Sequence, residues 1–305
     1  MTISKCPACG SASSETTGPE AAGFSAVVNG ETFQQPDYFV LECVQCGLLY
    51  RSETLASADF AHYYAQVDFR GWESAGYYPT ERCILGTLRA LPKGRRILDF
   101  GCSSGRLLAG LCADYQCYGI EVNAAAASEA ARKGLRMLPG EDLENASLLP
   151  FDAIVLVDVF EYMASPLELL GKLTRSLSDG GRLIICTGNG DAAACRRDPA
   201  QFWYFRTLEH VCMLTSAHSK FLCSCLQLKL RDWTPLSHYD LSVRVQAVQI
   251  GQNFMYWQFR RRTSLARLVL QFLPGMKRLK TGDAAPTYSC SRDHVVAVFE
   301  KKLKR

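Results

Sequence analysis

Residues 95–105 read Arg-Arg-Ile-Leu-Asp-Phe-Gly-Cys-Ser-Ser-Gly, and this stretch decides the fold. Its first half is a short β run. Its second half is a turn of small residues that opens a segment with helical spacing, 105–115. A strand, a tight turn and a helix form the start of a β-α-β unit, in which a helix connects two parallel strands. The turn is expected at the carboxyl end of its strand, where open α/β sheets bind their ligands.

The strand and helix pattern repeats along the rest of the chain. Further strands are predicted at 117–122, 135–138, 151–160, 182–188, 226–233 and 294–302. The run at 151–160 is almost continuously apolar, which is typical of a central strand covered on both faces. A helix is predicted from Ser165-Pro166, with Ser165 as its N-cap, to the glycine pair at 180–181, and another at 215–226. Repeated units of this kind indicate a parallel sheet between layers of helices.

Two cysteine pairs precede this region, Cys6-Pro-Ala-Cys9 and Cys43-Val-Gln-Cys46, and each is followed by a glycine. Tetrahedral zinc takes four thiolates in structural sites, and a CxxC turn places two of them on one side of the ion. The two matched turns therefore predict a closed structural Zn²⁺ site with Cys6, Cys9, Cys43 and Cys46 as ligands. The alternative is that one or both pairs are redox-active dithiols or unconnected thiols.

The chain divides into three predicted parts. Residues 1–55 form a zinc-knuckle module, 56–94 form an aromatic and helical leader that caps the site, and 95–305 form the main domain. Within the main domain, a helical insertion is expected at about 234–292, before the last strand. The fold class is therefore α/β: a doubly wound, mostly parallel, Rossmann-like sheet with a small N-terminal zinc-binding module and a helical insertion.

Composition limits the classes of partner. The 305 residues are 48% hydrophobic and 21% charged, as in an ordinary globular protein, and the net charge is only +4. A nucleic-acid-binding domain usually has a stronger and clustered basic excess, so nucleic acid is not the expected partner. The sequence has no apolar run of the roughly 20 residues that a membrane helix needs, and it starts without an apolar signal segment. With its other cysteines scattered singly, the chain is expected to be cytoplasmic.

One carboxylate is placed to bind a nucleoside. Glu121 ends the second strand, about 20 residues after the small-residue turn, where an acid can hydrogen-bond both ribose hydroxyls. The alternative is a solvated carboxylate at the end of a strand.

With these residues in place, the chain resembles the class I S-adenosylmethionine (SAM)-dependent methyltransferases over roughly residues 95–230. The first motif of that family, D-x-G-C-G-x-G, is matched by Asp99, Gly101, Cys102, Ser103 and Gly105, with Ser103 in place of the middle glycine. The zinc-knuckle leader and its Tyr-Tyr segment are also similar to a subgroup that acts on small molecules, notably sugars.

Three later segments carry the rest of the resemblance. The ribose-binding acid of the family falls on Glu121. The segment at 140–143, with Glu141 and Asp142, is similar to the one whose acid contacts adenine. Asp158-Val-Phe160-Glu161-Tyr162 resembles the D-x-L-E-H block, with Tyr162 where the family often has histidine. The resemblance implies that SAM is the cofactor and that it is bound by Asp99, Gly101, Cys102, Ser103, Gly105, Glu121, Glu141, Asp142, Asp158 and Phe160.

The candidate catalytic residue is His210, in the loop that follows the fifth strand. Methyl transfer is an in-line displacement that needs a base when the acceptor is a hydroxyl group. Histidine suits this task because its charge changes near neutral pH. The alternative is a histidine that only fixes the backbone of its loop.

These features predict a SAM-dependent methyltransferase acting on a small polar acceptor, such as a sugar or a nucleotide-sugar or glycan precursor. Two alternatives remain open: an RNA methyltransferase, since some carry N-terminal zinc modules, and a SAM-binding scaffold protein without turnover. Residues 254–280 combine apolar side chains with basic flanks, which fits contact with a membrane surface. A helical lid or a subunit contact is the favoured interpretation of that segment. The sequence does not indicate an oligomeric state.

Overall fold

The computed structural model describes residues 2–66, 76–140, 150–260, 279 and 285–303. Within these residues the strands are β1 (Ser14–Thr16), β2 (Phe24–Val28), β3 (Glu31–Gln35), β4 (Val40–Cys43), β5 (Leu49–Arg51), β6 (Arg96–Phe100), β7 (Gln116–Ile120), β8 (Arg136–Met137), β9 (Phe151–Val157), β10 (Leu177–Gly188), β11 (Cys212–Met213), β12 (Leu228–Leu236) and β13 (His294–Lys301). The helices are α1 (Ser57–Gln66), α2 (Pro79–Arg89), α3 (Arg106–Ala109), α4 (Ala124–Arg132), α5 (Pro166–Arg175), α6 (Ala193–Arg197), α7 (Ser216–Cys225) and α8 (Val243–Arg260).

The described part of the main domain is built on one large sheet with the strand order β12-β13-β10-β9-β6-β7-β8. The pairs β9–β10, β6–β9, β6–β7 and β7–β8 are parallel, whereas β13 is antiparallel to both β10 and β12. The chain first moves outward from β6 to β8 and then returns to β9 on the other side of β6. This reversal places a switch point between the carboxyl ends of β6 and β9, the usual ligand site of such a sheet. The predicted fold class is confirmed.

The apolar core lies on both faces of the large sheet. Along β9 and β10, alternate side chains point to opposite faces, so Ile154 and Leu183 enter one layer while Val155 and Ile184 enter the other. The first layer is completed by residues of α5 and α7, and the second by residues of α2, α3 and α4. Two-sided burial explains why the 151–160 run is apolar at nearly every position.

The sequence placed one helix end wrongly. Helix α5 ends at Arg175, and the Ser165 side chain makes no capping hydrogen bond. The strand β10 begins at Leu177, so the glycine pair at 180–181 lies inside this strand, where the register with β9 shifts. Gly180 has φ +73, a conformation that glycine allows at such an irregularity. The glycines therefore interrupt a strand ladder and do not end the helix.

The N-terminal strands are joined to the main domain by a shared sheet. Strands β1, β4 and β5 form an antiparallel sheet whose fourth strand is β11, at residues 212–213. Arg51, at the end of β5, is completely buried, and its guanidinium group donates to the backbone carbonyls of Phe205, Thr207 and Leu208. The Tyr38 hydroxyl also donates to the Phe205 carbonyl, at 2.8 Å. These contacts tie the module to the loop that carries His210.

The predicted insertion before the last strand is described only in part. Strand β12 continues to Leu236, and α8 follows at 243–260. Of the segment 254–280, the part up to Arg260 belongs to α8, with Phe254 exposed and Tyr256 and Phe259 buried. Apart from residue 279, the rest lies outside the described residues, so the proposed membrane or lid role is untested. Across the residues that are described, no helix is both long enough and apolar enough to span a membrane.

Candidate functional site

The turn after β6 has the backbone shape that its small residues allow. Gly101, Ser103 and Gly105 have positive φ values of 79, 47 and 74. Side chains with a Cβ disfavour this left-handed region. A Cβ on Gly105 would lie 2.9 Å from the backbone Cα of Ala130, so only glycine fits between the turn and α4. Ser103, which stands where the family motif has glycine, adopts the left-handed conformation all the same.

Glu121 is held against this turn. Its Oε2 accepts the backbone N–H of Ser103 at 2.9 Å, and its Oε1 accepts that of Asn123 at 2.8 Å. Each carboxylate oxygen can accept a second hydrogen bond, so both remain able to bind hydroxyl groups. The adjacent Val122 is 92% exposed and gives the site an apolar surface that the sequence reasoning missed. The sequence could have indicated this surface, because Val122 is an apolar residue directly after Glu121, the predicted ribose-binding acid.

Asp99 contributes a buried carboxyl group at the end of β6. Its side chain is 2% exposed. Burial, together with the nearby carboxylates of Glu121 and Glu81, raises the pKa of Asp99 to about 7. Glu81, in the first turn of α2, forms an ion pair with Arg106, which directly follows the small-residue turn. This ion pair therefore connects the first turn of α2 to the small-residue turn after β6.

Aromatic side chains connect the turn to a second group of residues. The Arg106 guanidinium carbon lies 5.7 Å from the ring centre of Tyr77 and 5.6 Å from that of Tyr78. The Tyr78 ring in turn lies 4.3 Å from the His238 ring. Tyr77 and Tyr78 thus bring the start of α2 alongside both the turn and the histidine that follows β12.

His210 and Glu161 form a buried polar pair. His210 Nδ1 lies 2.7 Å from the backbone carbonyl oxygen of Tyr204, so this nitrogen carries the proton and Nε2 is the acceptor. Burial lowers the pKa of His210 to about 3, which keeps the ring neutral. Nε2 lies 3.9 Å from Glu161 Oε1, and the Tyr204 and Thr187 hydroxyls both donate to the Glu161 carboxylate. Burial and the charge of Asp158 raise the pKa of Glu161 above its ordinary value.

Three residues from different strands meet beside this pair, and the sequence reasoning grouped none of them. Asp158 follows β9, His238 follows β12, and His294 opens β13. Their potential ligand atoms all lie within 4.8 Å of one another. Burial alone would lower the pKa of His294, but Asp158 at 3.5 Å and Asp293 at 3.2 Å outweigh burial and raise it to about 10. The signal in the sequence was that two of its five histidines flank the last two strands.

The four paired cysteines come together at the N-terminal sheet. Cys6 Sγ lies 3.5 Å from Cys46 Sγ, and Cys9 Sγ lies 3.5 Å from Cys43 Sγ. Four sulfur atoms at about 2.3 Å from a tetrahedral ion are separated by about 3.8 Å, whereas a disulfide bond would require about 2.05 Å. All four sulfur atoms lie within 4.8 Å of one another. The cluster could hold a metal ion, and its donor set fits zinc.

The other predicted cofactor residues are placed differently. The Cys102 side chain is buried, and so close to Gly119 that a Cβ there would lie 2.7 Å from its sulfur. Phe160 is completely buried in the core. Asp158 follows the switch-point strand, but its Oδ1 faces His294. Glu141 and Asp142 lie outside the described residues. The structure thus brings Asp99, Gly101, Ser103, Gly105 and Glu121 together, with Asp158 near the histidines.

Comparison with known proteins matches part of this chain to methyltransferases. A family described as a methyltransferase domain matches residues 76–227, about half of the chain. A ubiquinone biosynthesis O-methyltransferase of Caulobacter sp. (strain K31) is 33% identical over 110 residues, which cover 32% of this chain and 42% of that protein. One of the same description from Alkalilimnicola ehrlichii is 29% identical over 106 residues, 32% of this chain and 43% of that protein. The chain thus matches less than half the length of these curated relatives.

Among solved structures, a complex between the Haloferax volcanii Trm112 methyltransferase activator and a putative methyltransferase is similar, with 14% identity and a TM-score of 0.49. The similarity covers 73% of this chain and 89% of that one. A likeness at this level says nothing about what this chain binds. The family match spans the strands that carry the small-residue turn, Glu121 and Asp158. Residues 76–227 of this chain therefore form a methyltransferase domain.

Proposed function

We propose that this chain transfers the methyl group of SAM to an oxygen atom of a small polar acceptor. One observation carries the proposal: a turn fitted to a nucleoside and a buried histidine–carboxylate pair lie on the same edge of one sheet, at its switch point. When bound, SAM supplies an electrophilic methyl group on a sulfonium centre. The described residues divide into a donor side, at 99–122, and an acceptor side, at 158–161 and 204–210.

The donor side fits an adenosyl group. Gly101 and Gly105 give the turn a left-handed backbone, and between them stand only the small side chains of Cys102, Ser103 and Ser104, so a ligand can approach this backbone. The Glu121 oxygens retain acceptor capacity for ribose hydroxyls, and Val122 offers an exposed apolar surface on which a purine ring can pack. Cys102, Asp158 and Phe160 stay predicted cofactor residues from the motif resemblance, with the Cys102 and Phe160 side chains buried behind the turn and the switch-point strand. Asp99, with its pKa near 7, can ionise in response to a bound cation.

On the acceptor side, we assign proton removal to His210. Because Nδ1 is bound to the Tyr204 carbonyl, the lone pair of Nε2 is the one available to accept a hydroxyl proton. Because burial lowers the pKa of His210 to about 3, the ring can keep this proton only when the Glu161 carboxyl group, 3.9 Å away, is ionised and stabilises the imidazolium. An oxygen acceptor is also consistent with the names of the curated relatives, which are O-methyltransferases. A hydroxylated intermediate of ubiquinone biosynthesis and a nucleotide-sugar are therefore the two acceptor classes to assay.

The cysteine cluster is proposed as a structural Zn²⁺ site. Four thiolates leave no open coordination position for a substrate, so the ion would have no part in methyl transfer. The cluster lies in the sheet that positions the His210 loop, and this arrangement supports a stabilising role.

The proposal is tested first on the donor side, by calorimetry with SAM and with its demethylated product, S-adenosylhomocysteine. The wild-type protein should bind both ligands. Glu121→Ala removes hydrogen bonds to a charged group, worth about 1.5–3 kcal/mol, and should weaken binding by about 10- to 150-fold. Glu168→Ala, which removes an exposed acid on α5, serves as the control and should leave affinity unchanged. A folded wild-type protein that gives no heat with either ligand would refute the proposed function.

The second test concerns His210. His210→Gln should retain SAM affinity and lose about 100-fold or more in turnover of the preferred acceptor. Full turnover in this variant would remove the assignment of His210 while leaving SAM binding intact. Binding of SAM with no turnover of either acceptor class would favour the scaffold alternative, and turnover of RNA would favour the RNA methyltransferase.

A further inference from the structure

We propose that Asp158, His238 and His294 form a binding site for one divalent transition-metal ion, separate from the four-cysteine site. Two imidazoles and one carboxylate are a donor set that suits zinc and its first-row neighbours. The proposal goes beyond methyl transfer, because it concerns an ion that SAM chemistry does not require.

The topology of the sheet brings the three side chains together. Asp158 directly follows β9, at the carboxyl edge of the parallel strands. Because β13 is antiparallel to β10, its first residue, His294, lies at that same edge, opposite Gly188. Strand β12 ends there too, since Leu236 pairs with His294, and His238 follows two residues later. A site on strand ends has rigid support, which a metal centre needs.

The cluster contains buried polar atoms that lack partners. Asp158 Oδ1 and His238 Nδ1 are each shielded from solvent and make no hydrogen bond within the described residues. His294 is 2% exposed and His238 is 9% exposed. A buried polar group without a partner is costly, so native proteins rarely keep one. Two such atoms, on residues whose potential ligand atoms lie within 4.8 Å of one another, indicate a missing ligand.

The spacing suits a shared ion better than direct contact. His294 Nε2 lies 3.5 Å from Asp158 Oδ1, which is beyond the usual range of a hydrogen bond. Two ligand atoms that each lie about 2.0–2.1 Å from a tetrahedral ion are separated by about 3.4 Å. The observed distance therefore matches two ligands of one ion.

Asp293 supplies the support that a metal-binding histidine usually has. Its Oδ1 lies 3.2 Å from His294 Nδ1, on the opposite side of the ring from Asp158. The same oxygen accepts the backbone N–H of His238 at 3.0 Å. A carboxylate behind the ring fixes its orientation and strengthens the other nitrogen as a ligand. Asp293 is thus a positioning residue for both histidines.

The charges around His294 and the number of protein ligands also favour a bound divalent ion. The carboxylates of Asp158 and Asp293 flank the His294 imidazole, and a divalent ion would balance their negative charge. Three protein ligands leave at least one position of a four-coordinate ion open, which distinguishes this site from the closed cysteine cluster. An open position at this edge could take an oxygen atom of an acceptor.

Zinc stoichiometry tests the proposal. The full-length protein is equilibrated with Zn²⁺, desalted, and analysed by native mass spectrometry and by elemental analysis. We expect two zinc ions per wild-type chain and one per chain in His294→Ala and in Asp158→Asn. Asp293→Asn should retain the second ion but bind it about 10- to 100-fold more weakly. The matched control is His62→Gln, which removes an exposed histidine bonded to Glu31, and it should keep both ions.

A single zinc ion in the folded wild-type protein would overturn the proposal, and a buried water molecule would then explain the unpartnered atoms. Two ions in both His294→Ala and Asp158→Asn would overturn it as well. If His294→Ala fails to fold, the zinc content of Asp158→Asn tests the proposal instead. This variant should fold, because the Asp158 side chain is one-third exposed and asparagine is nearly isosteric with aspartate. The experiment uses neither SAM nor an acceptor, so its failure is distinct from failure of the proposed methyl transfer.

Discussion

The small-residue turn can be tested by adding one methyl group to Gly105. Two effects are expected from Gly105→Ala. The first is conformational, because φ at this position is +74, and the left-handed region costs a non-glycine residue about 1–2 kcal/mol. The second is steric, because the new Cβ would lie 2.9 Å from both the Cα and the Cβ of Ala130 and 3.1 Å from Leu135 Cδ1. Overlap with backbone in a packed region typically costs about 1–3 kcal/mol more.

Gly94 offers a matched control. Its φ is +82, but a Cβ there would meet nothing within 4 Å. Gly94→Ala should therefore show only the conformational effect, about 1–2 kcal/mol. The difference between the two variants isolates the close approach of the turn to α4, and we expect Gly105→Ala to be less stable by a further 1–3 kcal/mol, roughly.

Urea unfolding at 25 °C measures both values, and calorimetry with SAM measures their effect on the site. Gly105→Ala should also weaken SAM binding, since the turn must shift to accommodate the methyl group, whereas Gly94→Ala should bind normally. Equal destabilisation by the two substitutions would show that the packing against Ala130 does not constrain the turn. Unchanged SAM affinity in Gly105→Ala would show that the turn does not form the donor site.

Two other predictions concern Asp99 and the cysteine cluster. The pKa of Asp99 is about 7 in the folded protein, against 3.8 in the unfolded chain. Between these two pH values the native state therefore holds a proton that the unfolded chain releases. As a result, this carboxyl group destabilises the folded protein increasingly as pH rises from about 4 to 7. Asp99→Asn should therefore gain about 2–3 kcal/mol relative to wild type between pH 5 and pH 8, measured by urea unfolding, and a pH-independent difference would contradict the raised pKa. Removal of the cysteine-bound metal by a chelator should lower the unfolding temperature by about 10 °C or more in a single calorimetric transition, and Zn²⁺ should restore it. The same calorimetric scan on the Asp158→Asn variant excludes any contribution of the proposed site at Asp158, His238 and His294. Two separate unfolding transitions would show that the N-terminal cysteine module unfolds independently of the main domain.

The sequence was sufficient for the architecture because its signals are local. The apolar run at 151–160 indicates a central strand, which is present as β9 but ends at Val157, and the turn at 99–105 follows β6 as predicted. The end of α5 was missed because a glycine pair can interrupt a strand as well as stop a helix. The backbone hydrogen bonds of Ser176, donated to the carbonyls of Lys172 and Leu173, end the helix without a glycine.

The acceptor side was less accessible to sequence reasoning, because its residues are far apart along the chain. Asp158 and His294 are separated by 136 positions, and their contact depends on β13 running opposite to β10. The apolar pattern of β13 does not predict its direction, because a strand buries the same side chains beside a parallel neighbour as beside an antiparallel one. Arg51 is a similar case: its burial depends on three carbonyls of a loop more than 150 positions away.

The buried Arg51 side chain connects the cysteine cluster to the loop that carries His210. The Cys43 and Cys46 turn separates β4 from β5, and β5 ends at Arg51. Arg51 holds the carbonyls at 205–208, and the histidine whose Nε2 faces Glu161 follows two residues later. An ion bound by the cysteines would therefore fix the strand that fixes this loop. Under the proposed function, a zinc-knuckle module need not touch the substrate to affect turnover, because it would set the position of His210, the proposed base.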